Sequence, residues 1–317
     1  MQITDATRII PRVYRKVLKL MGNRFEISIV ATDAFWAHDC IEEAVKEISR
    51  IERLLTTFDE DSQTNLINRN AGIAPVKVDD EVFELIRRSK KISGVTQGAF
   101  DITYGSIDKR LWNFDKNMTE LPKPELAKQL VRLINYKNVI LDEKRRTVFL
   151  KEKGMRIGFG GIGKGYAAEC AKVFLQKRGI KNGIVNAAGD LTAWGYQPNG
   201  KPWTIGIADP NASREIFSHL EITNTSVATS GNYEKFVLID GKKYSHTIDP
   251  KTGLPVTGIK SVTIICPNAE LADAMATPVM IMGIKAGIDM VNQVKGLACI
   301  IIDENDKIHT SKNIHLS

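Results

Sequence analysis

Three segments of the 317-residue chain hold reactive side chains at spacings that suit chemistry. The first is GFGGIGKG at 158–165, where five glycines and Lys164 stand between a strand-like run and a helical one. Glycines there let backbone N–H groups approach a phosphate at a helix N-terminus, and the lysine adds charge. The other reading is that the glycines only let the helix pack closely. Gly158, Gly163 and Lys164 fit the spacing GxxxxGK, but Gly165 replaces the hydroxyl residue that would hold Mg²⁺, so a P-loop is incomplete. The second segment is ELADAMATP at 270–278, in which Asp273 and Thr277 stand four residues apart and share one helical face. A carboxylate and a hydroxyl so placed either share a hard cation with carbonyl, water or phosphate oxygens, or are a coincidence of a helix surface. The third is YSHTIDPKTGLP at 244–255, where Asp249-Pro250 and Thr252-Gly253 form a stiff turn just after His246. That histidine is either structural or the group that moves a proton.

Other loops add polar groups. In GAFDIT (98–103) Asp101 lies between apolar neighbours, where an unpaired carboxylate is costly, so it requires a partner, a ligand group being one candidate. NAAGD (186–190) and ATSGNY (228–233) end strands with glycine beside polar side chains, as plain turns or as pocket lining.

The elements that must position these groups follow from periodicity. Period-2 alternation ending at residue 31 predicts a strand, and Ile41, Ala44, Val45, Ile48, Ile51, Leu54 and Leu55 predict a helix over 38–55. Residues 58–72 read as polar and turn-rich, 80–93 as a second helix after Asp79, and 93–105 as loop and short strand. LPKPELAKQLVRLINY begins with two prolines and marks 108–136 as a helical insertion or subdomain. NVILD and TVFLKEKG predict a hairpin, MRIGF a strand, and the stretch up to Gly179 a helix. At least five further strands follow, with hairpin signals such as Asp240-Gly241, then helices at 269–283 and 285–295 and the strand LACIIID. Strands outnumber helices and short turns often join them, so the fold class is α+β, with mixed, largely antiparallel sheets and packed helices.

Composition bounds the rest. The chain is 43% hydrophobic and 26% charged, ordinary globular values. Its 44 basic against 37 acidic residues give +7, an excess that suits an anionic ligand, a membrane surface or an acidic partner, without the dense clusters of a nucleic-acid binder. Cys40, Cys170, Cys266 and Cys299 form no CxxC pair, which argues against a zinc site or a disulfide framework. No signal peptide is visible, and the apolar run LACIII (297–302) is far short of the ~18 residues of a membrane span.

Taken in order, LMGN, DSQTNLIN, GAFDITYG with a following LWNF, FGGIGKGYA, NAAGD, TSGNYEKF, SHTIDPKTG and ADAMATP resemble the ApbE-type FAD:protein FMN transferase family from about Leu20 to about Gly283. The resemblance implies a T-fold-related architecture, residues 1–317 acting as one catalytic unit. It also implies FAD and Mg²⁺, and a partner flavoprotein whose threonine receives FMN as a phosphoester while AMP leaves. By the same resemblance, Asp273, Thr277 and the Gly161 carbonyl ligate Mg²⁺, and Met21, Ala99, Phe100, Asp101, Gly160 and Lys164 contact FAD. His246 takes the catalytic position. This sequence departs from the family pattern at Gly158, Asn232 and Glu169, where Asp is frequent, and at Ala276, where some members carry a further metal-ligating Asp. The alternatives are an FAD carrier without transfer and a pyrophosphatase that yields FMN and AMP. The expected location is cytoplasmic, or exported as a lipoprotein whose leader is not part of this sequence.

Overall fold

Eight strands form one antiparallel sheet whose two faces carry different partners. The computed structural model describes residues 10–107, 120–208, 216–231, 236–239, 241–245 and 247–314. In chain order the strands are β1 Arg12–Leu20, β2 Asn23–Ala31, β3 Val76–Lys77, β4 Val139–Asp142, β5 Thr147–Leu150, β6 Gly183–Ala187, β7 Asp190–Trp194 and β8 Trp203–Ala208. There follow β9 Ile216–Ile222, β10 Thr225–Gly231, β11 Phe236–Ile239, β12 Lys242–Ser245, β13 Ile259–Cys266, β14 Ala298–Asp303 and β15 Ile308–Thr310. The helices are α1 Ala34–Leu55, α2 Gln63–Arg69, α3 Asp80–Val95, α4 Pro124–Leu130, α5 Gly163–Lys177, α6 Ala269–Met282 and α7 Ile284–Gln293. The large sheet runs β1-β2-β6-β7-β10-β13-β14-β15, and all its pairings are antiparallel.

Alternation on the strands explains the layering. In β2, Phe25, Ile27, Ile29 and Ala31 join the core with α1 and α5, while Val30 points to the opposite face. That second face is closed by the β8–β9 hairpin through Trp203, Ile205 and Ile222. Helix α6 covers the β10–β13–β14 half with Ala272, Met275, Ala276 and Val279. Asp33 starts α1 by accepting a bond from Trp36 N at 2.6 Å, so the helix begins four residues before the predicted one.

Three local predictions change. Residues 63–69 are helical rather than turn, because Ser62 caps α2 and its buried face is mostly polar: beside Ile67, Thr64 bonds to the end of α1 and Asn65 and Asn68 to loop backbone, which leaves no apolar period to read. Residues 93–105 contain no strand; α3 continues to Val95, and Asp101 opens a 3-10 turn at Ile102–Ser106. MRIGF (155–159) is extended but joins no sheet. Its N–H groups go instead to Ser106 Oγ, Asn68 Oδ1 and the Ile102 carbonyl, at 2.8, 2.7 and 3.0 Å. The proposed insertion at 108–136 yields α4, with Pro124 in its first turn; 108–119 lie outside the described residues. Leu130 and Val131 pack with Ile107 and Ile248, so α4 backs the loop that follows residue 246.

Candidate active site

Two type I′ turns lie side by side at one end of the large sheet. Met21-Gly22 closes β1–β2 and Ala188-Gly189 closes β6–β7, all four residues at positive φ, and Phe25 pairs with Ala187 between them. Asp190 begins β7 at this end, and the start of α5 lies close by: the Met21 methyl is 3.6 Å from where a Cβ on Gly163 would stand.

The glycine segment enters α5 without a side-chain cap of its own. Asp273, from α6, supplies one: its Oδ2 accepts from Gly165 N at 2.8 Å. A Cβ on Gly165 would stand 2.1 Å from the Ala269 carbonyl oxygen, so this glycine exists to let α5 and α6 touch, and a P-loop hydroxyl has no room there. Lys164 extends its ammonium to Asp190 at 2.7 Å and to Asp273 Oδ1 at 3.6 Å. The helix N-terminus that the sequence offered to a phosphate therefore holds a protein carboxylate, and the lysine charge is committed to two of them.

Electrostatics follow from burial. Both carboxylates are 7% exposed, against 24% for Lys164. Burial and the nearby Asp273 push Asp190 up to about 7, with Lys164 opposing. Burial likewise raises Asp273, against the pull of Lys164 and the Gly165 N–H. Burial works against the Lys164 ammonium, but attraction to Asp273 and Asp190 prevails and its pKa rises. Two carboxylates face one ammonium in a dry place, so the second negative charge calls for a proton or a cation. Asp273 is thus no surface carboxylate. Its Oδ1, 3.6 Å from the Lys164 ammonium, is an oxygen that a bound cation would share with that lysine. One turn on, Thr277 Oγ1 lies 3.3 Å from Ser230 Oγ. Among the described residues no three His, Cys, Asp or Glu side chains could hold an ion alone, so a cation would rely on hydroxyl, carbonyl and ligand oxygens as well.

Next to this cluster opens a cavity of about 730 Å³. Ala99, Phe100, Asp101, Gly160, Gly161 and Thr277 line it, as do Thr57, Tyr104, Arg156, Gly158, Thr247, Ile248 and Pro278. Met21, Lys164 and Asp273 are not on its wall. His246 lies outside the described residues; its neighbour Thr247 is on the wall. Asp101 finds its partners in the protein: Oδ1 accepts from Thr103 N and Oγ1 at 2.8 and 2.7 Å, and Oδ2 from Tyr136 N at 2.8 Å. Burial still raises its pKa against those bonds. Tyr104, pushed up to about 12 by burial, stays a neutral phenol and accepts from Ile248 N at 3.3 Å. Arg156 and Tyr104 are wall residues the sequence reading did not single out. The alternation of buried Met155, Ile157 and Phe159 with Arg156 and Gly158 was the available signal.

Glu169 accepts from Ala269 N at 2.9 Å at the start of α6 and is not on the cavity wall. Asn232 lies outside the described residues.

Fold and site define an α+β protein with a ligand-sized cavity beside a buried anionic cluster. Residues 21–301 match the ApbE family, and the chain belongs to that family. An FAD:protein FMN transferase of Klebsiella pneumoniae is 31% identical over 299 residues, covering 94% of this chain and 91% of the relative. The protein of that name from Escherichia coli K12 is 28% identical over 299 residues, covering 92% and 85%. The crystal structure of the ApbE protein from Thermotoga maritima matches with a TM-score of 0.85 at 30% identity, over 95% of this chain and 97% of that one. That of the apo flavinyl transferase ApbE of Pseudomonas stutzeri gives 0.83 at 25%, over 98% and 97%.

Proposed function

We propose that this protein is an FAD:protein FMN transferase that moves FMN from FAD to a threonine hydroxyl of a partner flavoprotein. The observation that carries the reading is the cavity itself: Ala99, Phe100, Asp101, Gly160, Gly161 and Thr277, far apart in sequence, share its wall in a chain whose full-length relatives bear that name. Phe100 and Ala99 offer an apolar face for a planar ring, and the glycine segment lets the ligand approach the backbone.

Asp273, Thr277 and the Gly161 carbonyl would hold Mg²⁺, which when bound offsets charge on the pyrophosphate. Such an ion would take the place of a proton in offsetting the second carboxylate beside Lys164. His246 accepts the proton of the threonine hydroxyl as its oxygen forms a bond to the FMN phosphorus. The bridging P–O bond breaks and AMP departs. Lys164 acts in this scheme by holding Asp273 and Asp190 in place.

Intact-mass measurement of an acceptor flavoprotein co-expressed with this chain tests the reading. One covalent FMN per acceptor, absent when the target threonine is replaced by alanine, is the expected result. FAD consumed with AMP released and no adduct formed would make the protein a pyrophosphatase, and FAD bound without turnover a carrier.

A further inference from the structure

The cavity needs a cation for an anionic ligand, and Lys164 is committed elsewhere. Three charged or ionisable side chains on the described wall are Asp101, Tyr104 and Arg156. Asp101 is bonded to Thr103 and Tyr136, and Tyr104 is a half-buried neutral phenol. Arg156 is exposed, and among the described residues its guanidinium has neither a hydrogen bond nor an ion pair.

Its backbone, by contrast, is fixed. Arg156 N donates to Ser106 Oγ at 2.8 Å, and the Ser106 hydroxyl donates back to the Arg156 carbonyl at 3.0 Å. Met155 and Phe159 are buried and off the wall, while the stretch between them, Arg156, Ile157 and Gly158, lines the cavity. Gly158 adds no side chain, and nothing lies within 4 Å of where its Cβ would be. A residue anchored through its backbone, whose guanidinium is ion-paired with no carboxylate among the described residues, therefore stands on the wall beside the open space at Gly158.

We propose that Arg156 is the phosphate-binding residue of this cavity, contacting a phosphate of the bound flavin nucleotide, and that Lys164 does not share this role. The inference rests on the flavin reading above. A guanidinium fork matches phosphate oxygens in pairs and needs no metal to do so.

The test is binding of FAD, FMN and riboflavin, followed by fluorescence, to the full chain and to Arg156→Gln, Arg156→Lys and Arg156→Glu. The side chain is exposed, so the variants are expected to melt as the parent does. FAD and FMN should weaken about 10–100-fold in Arg156→Gln and more in Arg156→Glu, with partial recovery in Arg156→Lys and riboflavin unchanged. Raising salt should weaken FMN in the parent more than in Arg156→Gln. Equal losses for all three flavins, or none, would overturn the assignment while leaving the flavin reading in place. A parent chain that binds no flavin would overturn the reading and this inference with it.

Discussion

At the scale of single residues, the cluster around Lys164 decides what substitutions can show. Asp273→Asn keeps an oxygen for the Gly165 N–H and removes one of two like charges, so stability should stay within about 1 kcal/mol of the parent. Mg²⁺-dependent transfer should be lost. Asp273→Ala also deletes the cap of α5 and should cost a further ~1–2 kcal/mol. Urea melts alongside transfer assays against Mg²⁺ separate the two effects, and normal Mg²⁺ dependence in the Asn variant would remove Asp273 from the metal. Gly165→Ser completes the P-loop spelling, yet its Cβ would stand 2.1 Å from a helix carbonyl. More than about 3 kcal/mol of destabilisation is expected, because backbone rather than a flexible side chain must give way. A well-folded variant would show that α5 and α6 can move apart at little cost. His246→Ala should slow transfer roughly 10²–10⁴-fold with FAD affinity changed far less. If affinity collapses and the rate at saturation holds, His246 binds rather than moves protons.

Elements are held against one another by polar as well as apolar contacts. Glu81 on α3 accepts from Arg50 on α1 at 2.6 and 3.0 Å and from the Tyr166 hydroxyl on α5 at 2.6 Å, so one carboxylate ties three helices. Partial burial raises its pKa, but the bonds from Arg50 and Tyr166 prevail and hold it below the ordinary 4.5. As pH falls below that ordinary value the unfolded chain takes up the proton first, so this contribution, present in full above it, is lost through the lowered pKa of the fold. Glu81→Gln should therefore melt earlier than the parent near neutral pH, with the gap closing below about pH 4. Thermal melts between about pH 3 and 7 measure it, and a gap that persists in acid would assign the effect to packing.

For the whole molecule, the cavity and the anionic cluster predict linkage between ligand, metal and stability. A ligand that binds only the folded state at 100 times its Kd stabilises by about 2.7 kcal/mol. On the proposed reading, FAD and Mg²⁺ together should raise the melting temperature by more than the sum of their separate effects, because a cation held by Asp273 and Thr277 would offset charge on the ligand phosphates. Purely additive shifts in differential scanning fluorimetry would mean that the two sites are independent.

Sequence alone determined what is local: the helical periods of α1 and α3, the β4–β5 hairpin, and the chemical types at Asp273, Thr277 and Lys164. It also carried the family, through short segments kept in order, since a ligand site is spelled by loops at strand ends. Tertiary structure decided which groups are free. Whether Lys164 meets a phosphate depends on where Asp190 and Asp273 stand, 26 and 109 residues away, and no spacing rule reports that. The glycines of 158–165 divide the same way: Gly158 faces open space and Gly165 a helix backbone, although the sequence writes them alike. Helix α2 was hidden because its buried face is mostly polar, and Arg156 because whether a charge is paired depends on which side chains the fold brings beside it.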